Sequence, residues 1–507
     1  MHFLAYDLIR ALMWHAAQTH GRPLHRLSFA GTTQCFQMEV WPLSGCQSAP
    51  AGVQCVINPN RFGITGGCRM KPAAVHPTRR TFLKAMLAAK VAPILVPARL
   101  LAAGQAAPSN KVILGVIGVG AQGQYDMRNF LGHNDVRVTA ICDVNKRNIE
   151  SAQRLIANAY GSSDAKVYAD FRELNADASI DAVLMALPVH WHSIPAQDTI
   201  LHGKHIYHEK PMGLSFEEAR RVRAAVRKTG VVFQFGTQQR SDLYFRWACE
   251  LALNGRLGKL KEIHVSVPGG KKGPLLPEQP VPEYVDWDRW VGPAPMTPFH
   301  EDKLQRDNHE NITNFSLGMI SCWGIHHLDI AQWGNGADDT GPRYVEGEGE
   351  FPKEGTFDAI LRWKVRFEYA GATLVTFVHD GTEGFQHGIR FIGESGWAHV
   401  TRGALNLYDP NVLRDPQNKC GAMPVKLPAS RDHTRNFVDA IRNRTRAICD
   451  IDTAVRSDTL CQLALIAVQR ARKVEWDPKA ERFVNDDAAN AMLLSRAFRG
   501  NWRLEEA

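Results

Sequence analysis

The sequence predicts an α/β protein in two parts: a doubly wound parallel sheet, then an α/β domain with an open, largely antiparallel sheet. Three observations carry this. A glycine string, Gly118-Val119-Gly120-Ala121-Gln122-Gly123, follows the continuous apolar run Val112 to Ile117. Short apolar runs then alternate with helical stretches as far as Phe235. Beyond Gly236, strand-like stretches follow one another with turns between them.

The first run reads as a strand buried on both faces of a parallel sheet. Gly118 permits the tight turn after it, and Gly120 lets backbone approach a pyrophosphate. Gly123 lets the following helix pack closely, with its N-terminus facing the anion. The second run, Val136 to Cys142, ends in Asp143, twenty residues after Gly123. An acid there accepts hydrogen bonds from the adenosine ribose and repels a 2′-phosphate. That favours NAD, although Lys146 and Arg147 leave NADP possible. The runs Asp181–Leu187, His205–Tyr207 and Val231–Phe235 complete an N-terminal Rossmann dinucleotide-binding domain, residues 108–236. Residues 237–507 form the second domain. Lys261–Val267, Thr356–Glu368, Ala372–His379 and Gly388–Ile392 read as its strands, and His433–Asn443 and Thr453–Lys473 as helices. Residues 269–282, rich in glycine and proline, read as a loop.

The N-terminus stands apart. Thr78-Arg79-Arg80-Thr81-Phe82-Leu83-Lys84 has the twin-arginine export pattern, no acid occurs from Lys71 to Ala107, and Ala102–Ala107 offers small residues for cleavage. Residues 70–107 are therefore expected to be an export signal that leads to the periplasm, with translation starting near Met70. Residues 1–69 read as a doubtful extension. Of the 60 Lys+Arg and 52 Asp+Glu in all 507 residues, 11 and 2 fall in residues 1–107, leaving 49 against 50. The basic balance thus belongs to the presequence and gives no case for a nucleic-acid partner. No apolar run after residue 107 reaches membrane-spanning length, so the mature part is expected not to be transmembrane. Four of ten cysteines lie in the extension, and the rest lack metal-ligand spacing.

Two further strings carry chemistry. Glu209-Lys210-Pro211 places an ammonium just after a strand C-terminus, where ligands gather in open α/β sheets. There it can stabilise a developing alkoxide. Trp323-Gly324-Ile325-His326-His327-Leu328-Asp329 brings histidines from the second domain, and an imidazole with a pKa near 6.5 suits reversible proton transfer. His190 and His192 follow the fourth strand. They are read as lining the nicotinamide pocket or as satisfied loop histidines, and no metal site is expected because nothing nearby completes a ligand set.

In order and spacing, the glycine string, Leu187-Pro188-Val189-His190-Trp191-His192, Glu209-Lys210-Pro211 and the Trp323–His327 string resemble the Gfo/Idh/MocA oxidoreductases. Phe235–Arg240 and Trp287–Pro295 are also similar to that family, and Trp476–Phe483 resembles an exported, sugar-acting branch. The resemblance covers essentially all of residues 110–505. It implies an NAD(P)-dependent enzyme oxidising a secondary hydroxyl of a carbohydrate, with Lys210 and His326 as catalytic residues. It also implies cofactor contacts from Gly118, Gly120, Gln122, Gly123, Asp143, Arg147, Pro188, His192 and Glu209. Substrate contacts from Cys322, His327, Gln238 and Arg240, and a homo-oligomer formed through the sheet face, are implied too. One position departs from the pattern. Four residues before His326 the family usually has an aspartate, one helical turn away on the same face, and here stands Cys322. A thiol cannot support an imidazolium as a carboxylate can, so Asp329 or Glu310 is expected to substitute, or the chemistry has changed. Export adds a constraint: free dinucleotide is scarce outside the cell, so the cofactor should be held tightly and regenerated in each cycle. Three readings follow: an oxidoreductase with a second carbonyl substrate, a lyase or glycosidase that oxidises a sugar transiently, or a ligand-binding protein with impaired catalysis.

Overall fold

A computed structural model describes residues 110–413 and 423–506. The expected extension and export signal, residues 1–107, lie outside the described residues. The first sheet has six parallel strands in the order β3-β2-β1-β4-β5-β6. They are β1 (Val112–Ile117), β2 (Val136–Cys142), β3 (Lys166–Tyr168), β4 (Ala182–Met185), β5 (His205–His208) and β6 (Phe233–Phe235). Between them run helices α1 (Ala121–Leu131), α2 (Lys146–Tyr160), α3 (Phe171–Ala176), α4 (Ser193–Leu201) and α5 (Phe216–Thr229). Side-chain caps start three of these helices: Asn145 for α2, Asp170 for α3 and Ser215 for α5. Strand order reverses between β1 and β4, and the crevice at such a switch point is where this architecture binds ligands.

The second sheet has nine strands in the order β13-β12-β11-β7-β10-β9-β8-β14-β15. They are β7 (Leu260–Val267), β8 (Tyr344–Glu350), β9 (Arg362–Glu368), β10 (Leu374–His379), β11 (Gly388–Gly393), β12 (Trp397–Thr401), β13 (Ala404–Leu407), β14 (Val474–Asp477) and β15 (Arg482–Phe483). Only β7 and β10 pair in parallel. Helix α6 (Leu243–Leu253) precedes this sheet. The short helices α7 (Trp287–Val291), α8 (Arg306–His309) and α9 (Met319–Cys322) lead into α10 (Gly324–Gly334), and α11 (His433–Asn443) and α12 (Ile451–Arg470) follow. Strand β9 shows why one face is covered. Trp363, Val365 and Phe367 are buried, while Arg362, Lys364 and Arg366 alternate with them on the outside. On that outer face Arg366 and Arg362 pair with Glu346 and Glu350 of β8.

One strand expectation shifts, and one strand was not expected. The stretch from Thr356 joins the ladder only at Arg362. Asp358 is drawn instead to the Thr313 amide and hydroxyl, and the Ala359 amide donates to the Asn311 carbonyl. Strand β8, Tyr-Val-Glu-Gly-Glu-Gly-Glu, has too little apolar alternation to be read from sequence. It needs its glycines because a Cβ on Gly347 would meet Val468 of α12 at 3.0 Å, and one on Gly349 would meet it at 2.9 Å. The five described cysteines are free and buried. Among the described residues, no helix is long and apolar enough to cross a membrane.

Candidate functional site

A cleft of about 1350 Å³, counting its open mouth, runs along the C-terminal ends of β1, β2, β4 and β5. Its floor is the glycine turn. Gly118 adopts φ +83°, and a Cβ there would lie 2.2 Å from the Ala186 carbonyl oxygen. A Cβ on Gly123 would lie 2.0 Å from the Gly118 carbonyl, so α1 could not approach β1 with any other residue. Gly120 faces the cleft, with nothing nearer than 3.8 Å to its missing side chain. No side chain caps α1, and its first turn holds no acid. Uncapped N–H groups at a helix start favour a bound anion. These features fit a dinucleotide pyrophosphate. Among the described residues, no group of three or more His, Cys, Asp or Glu is placed to hold a metal ion.

Asp143 lines this cleft, half-buried at the end of β2. Its carboxylate accepts from the Val119 and Asn145 amides at 2.9 and 2.8 Å and from Asn148 at 3.4 Å. It therefore pins the glycine turn as well as facing the place where a ribose would sit. A carboxylate has about four acceptor positions, so room remains for a ligand hydroxyl. Arg147 is placed otherwise than the sequence suggested. Its guanidinium lies 3.6 Å over the Tyr284 ring and pairs with Glu301, outside the cleft.

Lys210 stands in the cleft wall at the end of β5, next to Glu209, and the Lys210–Pro211 peptide is cis. Its Nζ donates to the Cys322 carbonyl oxygen at 3.1 Å, which joins the two domains. His326 lies one turn further on, with its ring 5.8 Å from that of Trp323. Burial, then the charges of Lys210, Arg402, His327 and Arg306, hold its pKa well below the usual imidazole value. His326 is thus neutral, a proton acceptor in waiting, and its Nδ1 has no hydrogen-bond partner. It is a weaker base than a free imidazole, whereas the sequence suggested one near 6.5.

The structure also separates the two candidate acids. Asp329 is spent: both oxygens receive Arg240, and one also receives Ser457 Oγ at 2.6 Å. Glu310 lines the cleft and pairs with Arg306 at 3.1 Å. Burial opposes its ionisation, but Lys210 and Arg306 outweigh that and lower its pKa. Arg306 in turn donates to Gln122 at 2.7 Å. Trp323 joins α9 to α10 in helical conformation, φ −103° and ψ −36°, and the Cys322 thiol meets Ser316 Oγ at 3.2 Å. Burial pushes that thiol up to about 12, so it stays protonated. Asp126 of α1, also buried, is raised by burial and then by Glu209.

Several expected contacts lie elsewhere. His192 does not line the cleft. Its ring nitrogens face the Pro211 and Leu187 carbonyls, and burial lowers it to about 4. It ties the β4 loop to the Lys210–Pro211 turn, while neighbouring Pro188 does line the cleft. His190 meets the Trp290 carbonyl. His327 turns to the Ser266 carbonyl at 3.1 Å, under β7. Arg240 is buried against Asp329 and Asp338, with its Nε, Nη1 and Nη2 all engaged. Gln238 is half-buried outside the cleft, its Oε1 unpartnered. Arg289 and Trp290 of α7, Arg306 and His309 of α8, and Trp502 also line the cleft and were missed, because helices of four or five residues and a lone tryptophan carry no periodic signal.

Residues 112–237 match the profile described as oxidoreductase family, NAD-binding Rossmann fold. Residues 268–504 match its C-terminal alpha/beta domain. The uncharacterized oxidoreductase YrbE of Bacillus subtilis is 23% identical over 294 residues, covering 57% of this chain and 74% of that protein. A glycosyl hydrolase family 109 protein of Shewanella amazonensis is 36% identical over 112 residues, 21% of this chain and 24% of that protein. The chain therefore spans only about a quarter of that relative's length. The WlbA dehydrogenase of Bordetella pertussis, solved with NADH and UDP-GlcNAcA, shares the fold at a TM-score of 0.54. That likeness has 16% identity and covers 72% of this chain and 98% of the other. With both domains matched in order, the chain belongs to the Gfo/Idh/MocA family of oxidoreductases, with an NAD-binding Rossmann domain.

Proposed function

We propose that the protein oxidises a secondary hydroxyl of a sugar or sugar derivative, and that it keeps its dinucleotide between half-reactions. The observation that carries this is the Lys210 ammonium, buried in the wall of the dinucleotide cleft and tied to the segment that carries His326. Bound NAD supplies the hydride acceptor. Lys210 donates to the substrate oxygen and stabilises negative charge as it develops. His326, neutral and short of a partner at Nδ1, takes the hydroxyl proton. Glu310 and Arg306 flank the ammonium and fix its electrostatic surroundings. The test is to purify the protein without added cofactor, identify any bound dinucleotide by mass spectrometry, and add candidate sugars while following absorbance of the reduced form. Reduction that persists until a carbonyl acceptor is added supports the proposal. No reduction with any sugar or polyol overturns it.

A second reading is favoured by the stretch shared with the glycosyl hydrolase family 109 protein. Oxidation at one sugar carbon acidifies its neighbour, elimination of a glycosidic substituent follows, and the hydride returns. Transient reduction accompanied by bond cleavage would mark it. We further propose export by the twin-arginine route to the periplasm, supported by Thr78–Lys84, and assembly as a homo-oligomer. N-terminal sequencing of secreted protein and light scattering test these.

A further inference from the structure

We propose that the C-terminal segment Arg499–Glu505 is part of the dinucleotide site, with Trp502 as the platform on which the adenine ring stacks. The segment is a strap across both domains. At one end Arg499 donates to the Asp288 carboxylate and carbonyl, each at 2.8 Å, and to the Gly292 carbonyl at 2.9 Å, all around α7. At the other end Glu505 and Gln197 of α4 exchange two hydrogen bonds, at 2.7 and 3.0 Å. Arg221 of α5 also donates to the Leu504 carbonyl, and Leu504 is buried.

Between these anchors Trp502 is half-buried and lines the cleft. Its ring meets Trp191 edge-on at 4.8 Å and lies 6.1 Å from Phe171, and Arg172 sits 5.2 Å over it. The place along the cleft selects the ligand group. Lys210 marks the reacting end, the glycine turn the pyrophosphate, and Asp143 at β2 the adenosine ribose. The wall on the β3 side of Asp143 consists of Ala169, Asp170, Phe171 and Arg172, and Trp502 belongs with these last two through its ring contacts. The only carboxylate there, Asp170, is taken up by Arg172. What this wall offers is flat aromatic and guanidinium surface, which suits a purine base and not a charged or hydroxylated group.

The strap also explains how a cofactor could be retained. With the base under Trp502, the nucleotide half is enclosed by residues from both ends of the chain fold.

The test is calorimetric titration of cofactor-stripped full-length protein, wild type, Trp502→Ala and Trp502→Phe, with three probes: NAD, ADP-ribose and nicotinamide mononucleotide. Base–aromatic stacking corresponds to about five- to a hundredfold in affinity. Trp502→Ala should weaken NAD and ADP-ribose together by about tenfold or more and leave nicotinamide mononucleotide unchanged. Trp502→Phe should restore most of the loss. Unchanged ADP-ribose affinity in Trp502→Ala would overturn the proposal. So would an equal loss for ADP-ribose and nicotinamide mononucleotide, which would mark Trp502 as packing alone.

Discussion

Replacing Lys210 by Met tests the site most directly, because the structure says what else the ammonium does. Its charge helps hold Glu310 below the usual carboxylate range, and it partly offsets the burial that raises Asp126 and Glu209. It is also the donor to the Cys322 carbonyl. A unit charge about 4 Å from an oxyanion, at an effective dielectric near 20, is worth about 4 kcal/mol. Loss of one such donor slows oxyanion-forming reactions by about a hundred- to a thousandfold. The expected result for Lys210→Met is therefore a fall of that size or greater in the single-turnover rate of dinucleotide reduction, with dinucleotide affinity changed less than about fivefold. Affinity should be spared because the groups placed to meet the pyrophosphate and the ribose, the uncapped start of α1 and Asp143, are untouched. The assay is stopped-flow absorbance beside calorimetry on the same preparations. A Lys210→Met variant that reduced its dinucleotide within tenfold of wild type would refute the assignment of the reacting centre.

Four other outcomes follow. His326→Ala should slow the same step by about a hundredfold or more, as expected for loss of a general base, and a rate unchanged across pH would exclude that role. Asp143→Ser should weaken NAD and relax discrimination against NADP. Because Asp143 also pins Val119, both dinucleotides lose affinity through the loop, and only the NAD-to-NADP ratio, measured by titration, reports the ribose contact. Cys322→Asp should raise the His326 pKa and move the acid limb of the pH–rate profile upward, whereas an unmoved limb would place position 322 outside the reacting centre. Asp458→Asn tests stability. Burial raises the Asp458 carboxyl from 3.8 to about 7, so its protonated form contributes stability that is complete below pH ~4 and lost as pH rises through about 7. The variant should match wild type near pH 4 and exceed it by growing margins up to pH 7, by up to about 4 kcal/mol at 1.36 per pKa unit. Denaturant melts at pH 4.5 and 7.5 decide it.

The parallel sheet was legible because buried strands read as continuous apolar runs and the glycine turn has a fixed chemistry. The place of Lys210 in the cleft was legible for a different reason: it sits in a short string whose order along the chain is distinctive. What escaped was decided by partners far away in sequence. Arg240 reads as a polar residue near a site until Asp329 and Asp338, roughly 90 residues on, are seen to use up its donors. His192 reads as a pocket residue until the Pro211 carbonyl claims it. The Cys322–His326 spacing gives no hint that the thiol is met by Ser316 Oγ. Trp502 carries no local signal at all, since its role depends on where the end of the chain comes to rest.

Helix α12 is twenty residues long and so spans about 30 Å. One end lies on β8, where Gly347 and Gly349 leave it room. Midway, Ser457 holds Asp329, and Asp458 receives the Met212 amide two residues beyond Lys210. The helix thus works as a beam between the second sheet and the turn that presents the ammonium. The position of Lys210 is surveyed from the sheet as much as from the strand that carries it. A side chain at Gly347 would lift the beam at its far end, and its cost would be read in hydride transfer and not only in melting temperature.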